Sequence, residues 1–462
     1  MEKVSKFKQI LYANGHGGFS ILDNIFGIYF IFFLLPPKET GMPELINNKA
    51  FFIFTLTGII IIFGRLIDSL ADPLIAYWSD HSKSRFGRRR FFILTGAFPF
   101  ALTAVLLFTL PDNYASGINA VYAAVMLGIY FFFYTYYVTP YLALLPEITY
   151  SHENRIFVTL LQAVFMLLGA AVVMMGVPVI WQKLQGLMSY KTNAFQVSIA
   201  VVAFIGFISM FSANFGLNKE KCEDQCEEDI SVIESIKLTM KNKAFIVYLI
   251  PVITYWFAFH MVRSTIAYYP IVLLKKDASF QTILTVILFG GAAVFFGVIS
   301  LLSKRITNKT FMLGGLLSFS IILIITYFID LLLPYKIGGT SLALIVACVQ
   351  MFLLGLPVAI LLVIPNAIVA DISEVDGYEK GIRREAMFFG AQGLFMKLNY
   401  GIAAAIITGL FSVFGKDASA PMGVKLSGPA ASIFAIVGFF ILLKFPQKEI
   451  LEKLKEIRKQ KL

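Results

Sequence analysis

The chain has 462 residues, 58% of them hydrophobic and 15% charged, with a mean hydropathy of +0.78. A soluble protein keeps about a quarter of its residues charged to cover its core, so this composition excludes one and indicates a polytopic membrane protein. The net charge of +11 then belongs to one face of a bilayer rather than to a nucleic-acid surface.

A helix needs about 20 apolar residues to cross the hydrocarbon core. Runs of that kind occur at about 17–36, 49–79, 91–111, 118–146, 156–180, 195–217, 244–274, 280–303, 310–334, 341–370, 386–414 and 426–445. They are continuous rather than alternating, which predicts helices and not strands, because lipid tolerates only helices or closed barrels. The expected fold is all-α, with twelve transmembrane helices in two six-helix bundles. Met1 to Lys8 is short and basic and precedes a run expected to remain as a span. With the amino terminus inside, 27 Lys and Arg fall on the cytoplasmic side, 9 on the opposite side and three within spans. Both termini are therefore expected in the cytoplasm of a cell bearing this protein in its inner membrane.

Span one opens YANGHGGFSILDN, where the glycines around His16 suit close helix approach. Span two and its loop read FGRLIDSLADPLIAYWSDHSKSRFGRRR. Asp68 and Asp72 are spaced i, i+4 and share one helix face, with Arg65 one turn before. Ionisable groups in a span are costly unless paired or facing water. One arginine cannot neutralise two carboxylates, so the pair points to a cation: Na⁺ on hard oxygens, or H⁺ on a carboxyl. The arginines Arg85, Arg88 and Arg89, with Arg383 of a later loop, are candidates to form gating pairs with Asp80, Glu147 or Asp371. Topology alone equally accounts for a basic loop. Span four carries Tyr134, Tyr136 and Tyr137, for which packing is the default reading.

The polar stretch 218–243 divides residues 1–217 from 244–445, leaving a tail at 446–462. Cys222 and Cys226 lie in this stretch and read as a solvated loop, without the histidines of a metal site. The loop SKSRFGRRR after span two is echoed by SKRITNK after span eight, and spans four and ten each carry two prolines before an acidic loop. Repeated halves with interrupted spans are the mark of secondary transporters. No G-x4-G-K-[ST] motif and no nucleophile–base arrangement occurs, so neither a nucleotide-driven pump nor an enzyme is expected. Span seven places Tyr255, Trp256, His260 and Arg263 together as lesser candidates for a cavity wall. The tail KEILEKLKEIRKQKL reads as an amphipathic helix lying on the anionic inner leaflet.

These motifs, together with ADISEVDGYEKGIRREAMFFGAQGLFMKL before and in span eleven, resemble the glycoside–pentoside–hexuronide:cation symporters. That melibiose permease-like branch belongs to the major facilitator superfamily. The resemblance runs over essentially the whole chain and implies cation-coupled symport of a sugar or glycoside by alternating access. It places Asp68 and Asp72 on the family's cation carboxylates. Lys397 falls on its span-eleven lysine, with Gln392 more than a turn before it. Asp23, Asn24, Arg65, Tyr137, Gln162 and Trp256 complete the expected substrate and coupling set. The family's two sugar-binding acids fall at Leu22, beside Asp23, and at Val138. Its tryptophan reads Leu142 and its span-five arginine reads Gln162. These departures weaken a sugar site, and a lysolipid or amphiphile carrier is the alternative. A non-transporting sensor is the remote one, since the longest loop is under thirty residues. The implied partners are a small solute, a coupling cation and lipid, with no resident cofactor, no nucleic acid and a monomeric state.

Overall fold

The computed structural model describes residues 5–48, 50–51, 54–149, 152–188, 190–216, 239–303, 305–380 and 385–460. Most of the middle stretch 218–243, with Cys222 and Cys226, lies outside the described residues. The first half of the sequence forms α1 (Lys6–Leu34), α2 (Leu56–Asp80), α3 (Arg90–Leu106), α4 (Gly117–Ala143), the single turn α5 (Leu145–Ile148), α6 (His152–Gln185) and α7 (Lys191–Gly216). The second forms α8 (Lys243–Thr265), α9 (Phe280–Leu302), α10 (Asn308–Ile324), α11 (Leu342–Lys380), α12 (Glu385–Phe414), α13 (Met422–Leu442) and the tail helix α14 (Gln447–Gln460). Ten of these are long and apolar enough to cross a bilayer. With the 17-residue α3 and with α2, whose middle holds Arg65, Asp68 and Asp72, they account for the twelve expected spans.

The chain divides into two units. One comprises Met1–Cys226 with Ile266–Ile283 and Ala404–Ala420, the other Glu227–Thr265, Leu284–Ala403 and Pro421–Leu462. Helix pairing repeats between them. In the first unit the first span packs on the sixth, and the third on the fourth and sixth; in the second, the seventh packs on the twelfth, and the ninth on the tenth and twelfth. Three helix pairings of the first half thus recur in the second.

Helix α1 begins well before the apolar run from which span one is read. Its start is set by Ser5, whose hydroxyl accepts from the Lys8 N–H at 3.4 Å. The glycines of NGHGG remain helical because neighbours need their bareness. A Cβ on Gly18 would lie within 2.6 Å of backbone atoms of Met210 and Gly206, so glycine lets α1 touch α7. His16 is accordingly mid-helix rather than at a helix start.

Helix α2 is built inside out, as a lipid-facing helix must be. Ile59, Phe63, Leu66, Leu70 and Leu74 form an exposed apolar stripe, while Gly64, Arg65, Asp68 and Ala71 are buried on the other side. The ionisable face is thereby removed from the acyl chains.

Within the first unit, the two segments borrowed from later in the chain are tied to the loop after α1. The Tyr268 hydroxyl donates to the Leu35 carbonyl at 2.8 Å, and Thr55 bonds Thr408 at 2.6 Å. Lys416 pairs with Glu44, and the Lys38 N–H donates to Asp417 at 2.9 Å.

Among the described residues, strands occur only as two-residue hairpins outside the helices, including at 50–55, where span two is expected from hydropathy but α2 begins only at Leu56. One pairs Lys336–Ile337 with Thr340–Ser341; its tight turn needs positive φ at both central residues, supplied by Gly338 (56°) and Gly339 (82°). The tail departs from expectation. Instead of offering its apolar face to lipid, α14 packs on α11 and buries Ile450, Leu454 and Ile457 in protein. Lys453 pairs with Glu379 of α11 at 2.6 Å, and Gln447 accepts from the Lys309 N–H at 3.0 Å. A protein groove removes the apolar stripe from water as fully as a leaflet does, and adds fixed polar partners.

Candidate functional site

The charged centre of the first unit is assembled by α2 and α4. Asp68 is fully buried and Arg65 nearly so, and Nη1 of Arg65 donates to Oδ2 of Asp68 at 3.1 Å. The guanidinium is seated over the rings of Phe131 (4.4 Å) and Phe26 (5.6 Å), so its position is fixed by cation–π contact as well as by the carboxylate. The other oxygen of Asp68 accepts from the Thr135 hydroxyl at 2.8 Å. The same hydroxyl lies 3.4 Å from Oδ1 of Asp72, which is half-buried one turn further along α2. Three oxygens from Asp68, Asp72 and Thr135 therefore converge, with Arg65 bonded to the far oxygen of Asp68.

Two features of the sequence make this possible. The i, i+4 spacing stacks the carboxylates, and Pro73 inside α2 has no N–H to give the Ser69 carbonyl, leaving a backbone oxygen in the same turn. Such a set suits a hard monovalent cation or a proton. Among the described residues, no three His, Cys, Asp or Glu gather as metal ligands. Thr135 and Phe131 escape sequence reading, because a hydroxyl and a ring in an aromatic-rich span carry no periodic signal. Only the α2–α4 contact gives them a role.

Other expected residues are distributed as follows. Asp23 is half-buried on α1, and Tyr134 of α4 lies in the combined field of Asp23, Asp68, Arg65 and Asp72. Asn24 bonds back to the Ser20 carbonyl at 2.8 Å. Tyr137 donates to the Met210 carbonyl at 3.0 Å and Gln162 to the Tyr141 hydroxyl at 3.2 Å, so both direct polar atoms into the protein. Val138 is buried and Leu142 exposed. In the second unit, Gln392 accepts from the Tyr248 hydroxyl at 2.8 Å, and Lys397 lies half-buried on α12. The buried indole nitrogen of Trp256 has no hydrogen-bond partner among the described residues, and its ring packs on Phe259 and His260.

Of the gating candidates, Asp80 receives two bonds from Arg89, at 2.7 and 3.0 Å, while Arg89 also caps the Ala143 carbonyl at the end of α4. Arg85 covers the ring of Phe86, and Asp371 accepts from Asn308 at 3.4 Å. Arg88 lies in the same loop as Arg85 and Arg89. Arg383 and the side chain of Glu147 lie outside the described residues. A cavity of about 570 Å³ also exists in the first unit, lined by Glu39, Trp181, Lys191, Lys275, Asp277 and Ala418, with none of the carboxylate set in its wall.

Residues 11–443 match the model of the MFS/sugar transport protein family. The chain belongs to that family. Similar curated proteins include an uncharacterized symporter, YnaJ, of Bacillus subtilis, 29% identical over 45% of this chain and 42% of its own length. The isoprimeverose transporter of Lactiplantibacillus pentosus is 25% identical over 59% of this chain and 58% of its own. A putative glycoside/cation symporter of Escherichia coli, YagG, is 24% identical over 84% of this chain and 83% of its own. The first two of these matches thus span less than two thirds of the relative's length. Among solved structures, an inward-facing bacterial homologue of the human lysosomal transporter Spinster superposes with a TM-score of 0.68 at 10% identity, over 97% of this chain and 99% of that one. A POT family transporter in complex with 5-aminolevulinic acid gives 0.66 at 13% identity, over 96% of each chain. At such identities these two show the fold alone.

Proposed function

We propose that this protein is a secondary active transporter that couples a monovalent cation to symport of a small solute, a sugar or glycoside, by alternating access. The observation that carries the reading is the convergence of Asp68, Asp72 and Thr135 oxygens in the middle of a span. Cation at this site favours the solute-binding state, and by linkage the solute raises cation affinity by the same factor. No covalent chemistry is involved. The 27-to-9 asymmetry of Lys and Arg supports cytoplasmic termini. The sugar or glycoside class rests on the relatives named above. The alternative, an amphiphile, is favoured by Val138, Tyr137 and Gln162, which leave the α4–α6 wall with few acceptors for hydroxyls.

Purified protein in proteoliposomes tests this directly. Uptake of labelled glycosides, driven by an imposed Na⁺ or H⁺ gradient, is expected from the wild type and lost in Asp72→Asn. Downhill flux that ignores both gradients would end the symport reading; uptake of lysolipid but no saccharide would move the substrate class.

A further inference from the structure

The cavity of about 570 Å³ in the first unit lies apart from the carboxylate set, and the polar chemistry of its wall is largely unspent. Five segments meet there: the loop after α1, the end of α6, the start of α7, the chain after span seven and the chain after α12. The wall carries three ammonium groups, of Lys191, Lys275 and Lys276, against the carboxylates of Glu39 and Asp277. Glu39 is already engaged, since it accepts from the Ala418 N–H at 2.8 Å. None of the three lysines is ion-paired among the described residues. Gln182, Gln185 and Ser419, on the same wall, keep side-chain donors and acceptors that no described residue takes up.

Two of these lysines are stationed by the backbone around them. Lys191 lies along Gly41, where an added Cβ would stand 2.9 Å from its Nζ and 3.2 Å from its Cδ. The bareness of that glycine makes the room, and its φ of 67° is one that glycine adopts freely. Lys275 has a φ of 50° and is the only non-glycine with positive φ among the described residues. It reverses the chain after the turn Tyr269–Leu273, and the Lys276 N–H closes that reversal on the Pro270 carbonyl at 2.9 Å. Glycine fills such a position with least strain. A side chain held there against backbone preference is expected where it has a ligand to meet.

We propose that this cavity is a binding site for a small hydroxylated monocarboxylate. The wall has one positive charge in surplus, which suits a single anionic group, and ammonium donors form charge-assisted bonds to a carboxylate. The two amides and the Ser419 hydroxyl suit hydroxyls along the carbon chain, as both donors and acceptors. The volume falls in the range of small-molecule sites, roughly 300–1,000 Å³. The site shares no residue with the Asp68, Asp72 and Thr135 set, so it stands independently of the transport reading.

Calorimetry on the full-length protein in detergent tests the assignment, with gluconate as the probe. Sorbitol serves as its uncharged counterpart and acetate as the charge without the hydroxyls. Gluconate is expected to bind at least about tenfold more tightly than either, and less tightly as salt is raised, because the lysines are open to water. Lys191→Gln should weaken gluconate about tenfold, the loss of one charge-assisted bond. Lys275→Gly is the sharper variant. Gluconate should again weaken about tenfold, yet the Tm without ligand should hold or rise, since glycine accepts this backbone conformation. Asp72→Asn, which shares no partner with the cavity, should leave gluconate affinity within about twofold. Equal affinities for the three probes, or no gluconate binding by the wild type, would overturn the proposal. So would affinity retained in both lysine variants, or lost in Asp72→Asn, which would move the anion to the α2–α4 site.

Discussion

The second span of each half differs in charge between the two units. In the first unit it is α2, with Arg65, Asp68 and Asp72 on its buried face. In the second it is α9, FQTILTVILFGGAAVFFGVISLL, which has no ionisable residue. Yet the first–sixth, third–fourth and third–sixth helix pairings recur in both units. These pairings therefore repeat while the charge set of α2 does not. The same pairings can be met by many apolar sequences, since helices in lipid associate by shape and close approach of small residues. A buried charge set, by contrast, costs stability wherever it is placed and persists only where it performs work.

The comparison can be broken most severely at the carboxylates. Asp72→Asn is expected to reduce cation-driven uptake at least about a hundredfold, the loss of a charged ligand worth several kcal/mol. Asp68→Asn should do the same and also lower stability by about 3–5 kcal/mol, because it strands the buried Arg65 charge. Uptake assays paired with thermal unfolding separate the two, and full ion dependence in the double variant would exclude this site as the coupling element.

What the units share is tested next. Gly18→Leu places a side chain on the Met210 and Gly206 backbone, and Gly438→Leu places one on Thr254. Each is expected to cost about 1–3 kcal/mol or more in unfolding experiments, with similar losses in the two units. A large loss in only one would show that the repeated pairing is not matched in strength.

A finer probe is Thr135. Thr135→Val keeps the shape but removes one oxygen, so cation affinity should fall about tenfold, while Thr135→Ser should retain it. In α9, Val286→Ala should leave cation affinity within about twofold, since no ligand is removed there.

The smallest effect is expected at the tail. Hydrogen bonds that the Lys453 ammonium donates to Glu379 first, and to Glu449 next, raise its pKa above the ordinary value of 10.5. The contribution is thus fully present at neutral pH and is lost only as pH rises through that raised value. The pair is solvent-exposed, so Lys453→Ala should move Tm by no more than about 2 °C. A larger drop would mean that α14 is held to α11 by this ion pair rather than by Ile450, Leu454 and Ile457.

Much was legible in the chain by itself. Twelve spans follow from hydropathy, because a bilayer imposes one length and one polarity on everything that crosses it. Asp68, Asp72 and Arg65 stand out for the same reason: a charge in a span is rare enough to be read without a structure. The tertiary structure alone decided the rest. Thr135 and Phe131 acquire their parts only when α4 lies against α2, and Tyr137 and Gln162 are seen to bond within the protein only once α6 and α7 are in place. The tail helix has an apolar stripe whose partner its own sequence cannot name, since lipid and a protein groove satisfy the same pattern. Sequence specifies which faces must leave water; only the packing of other helices settles what they meet.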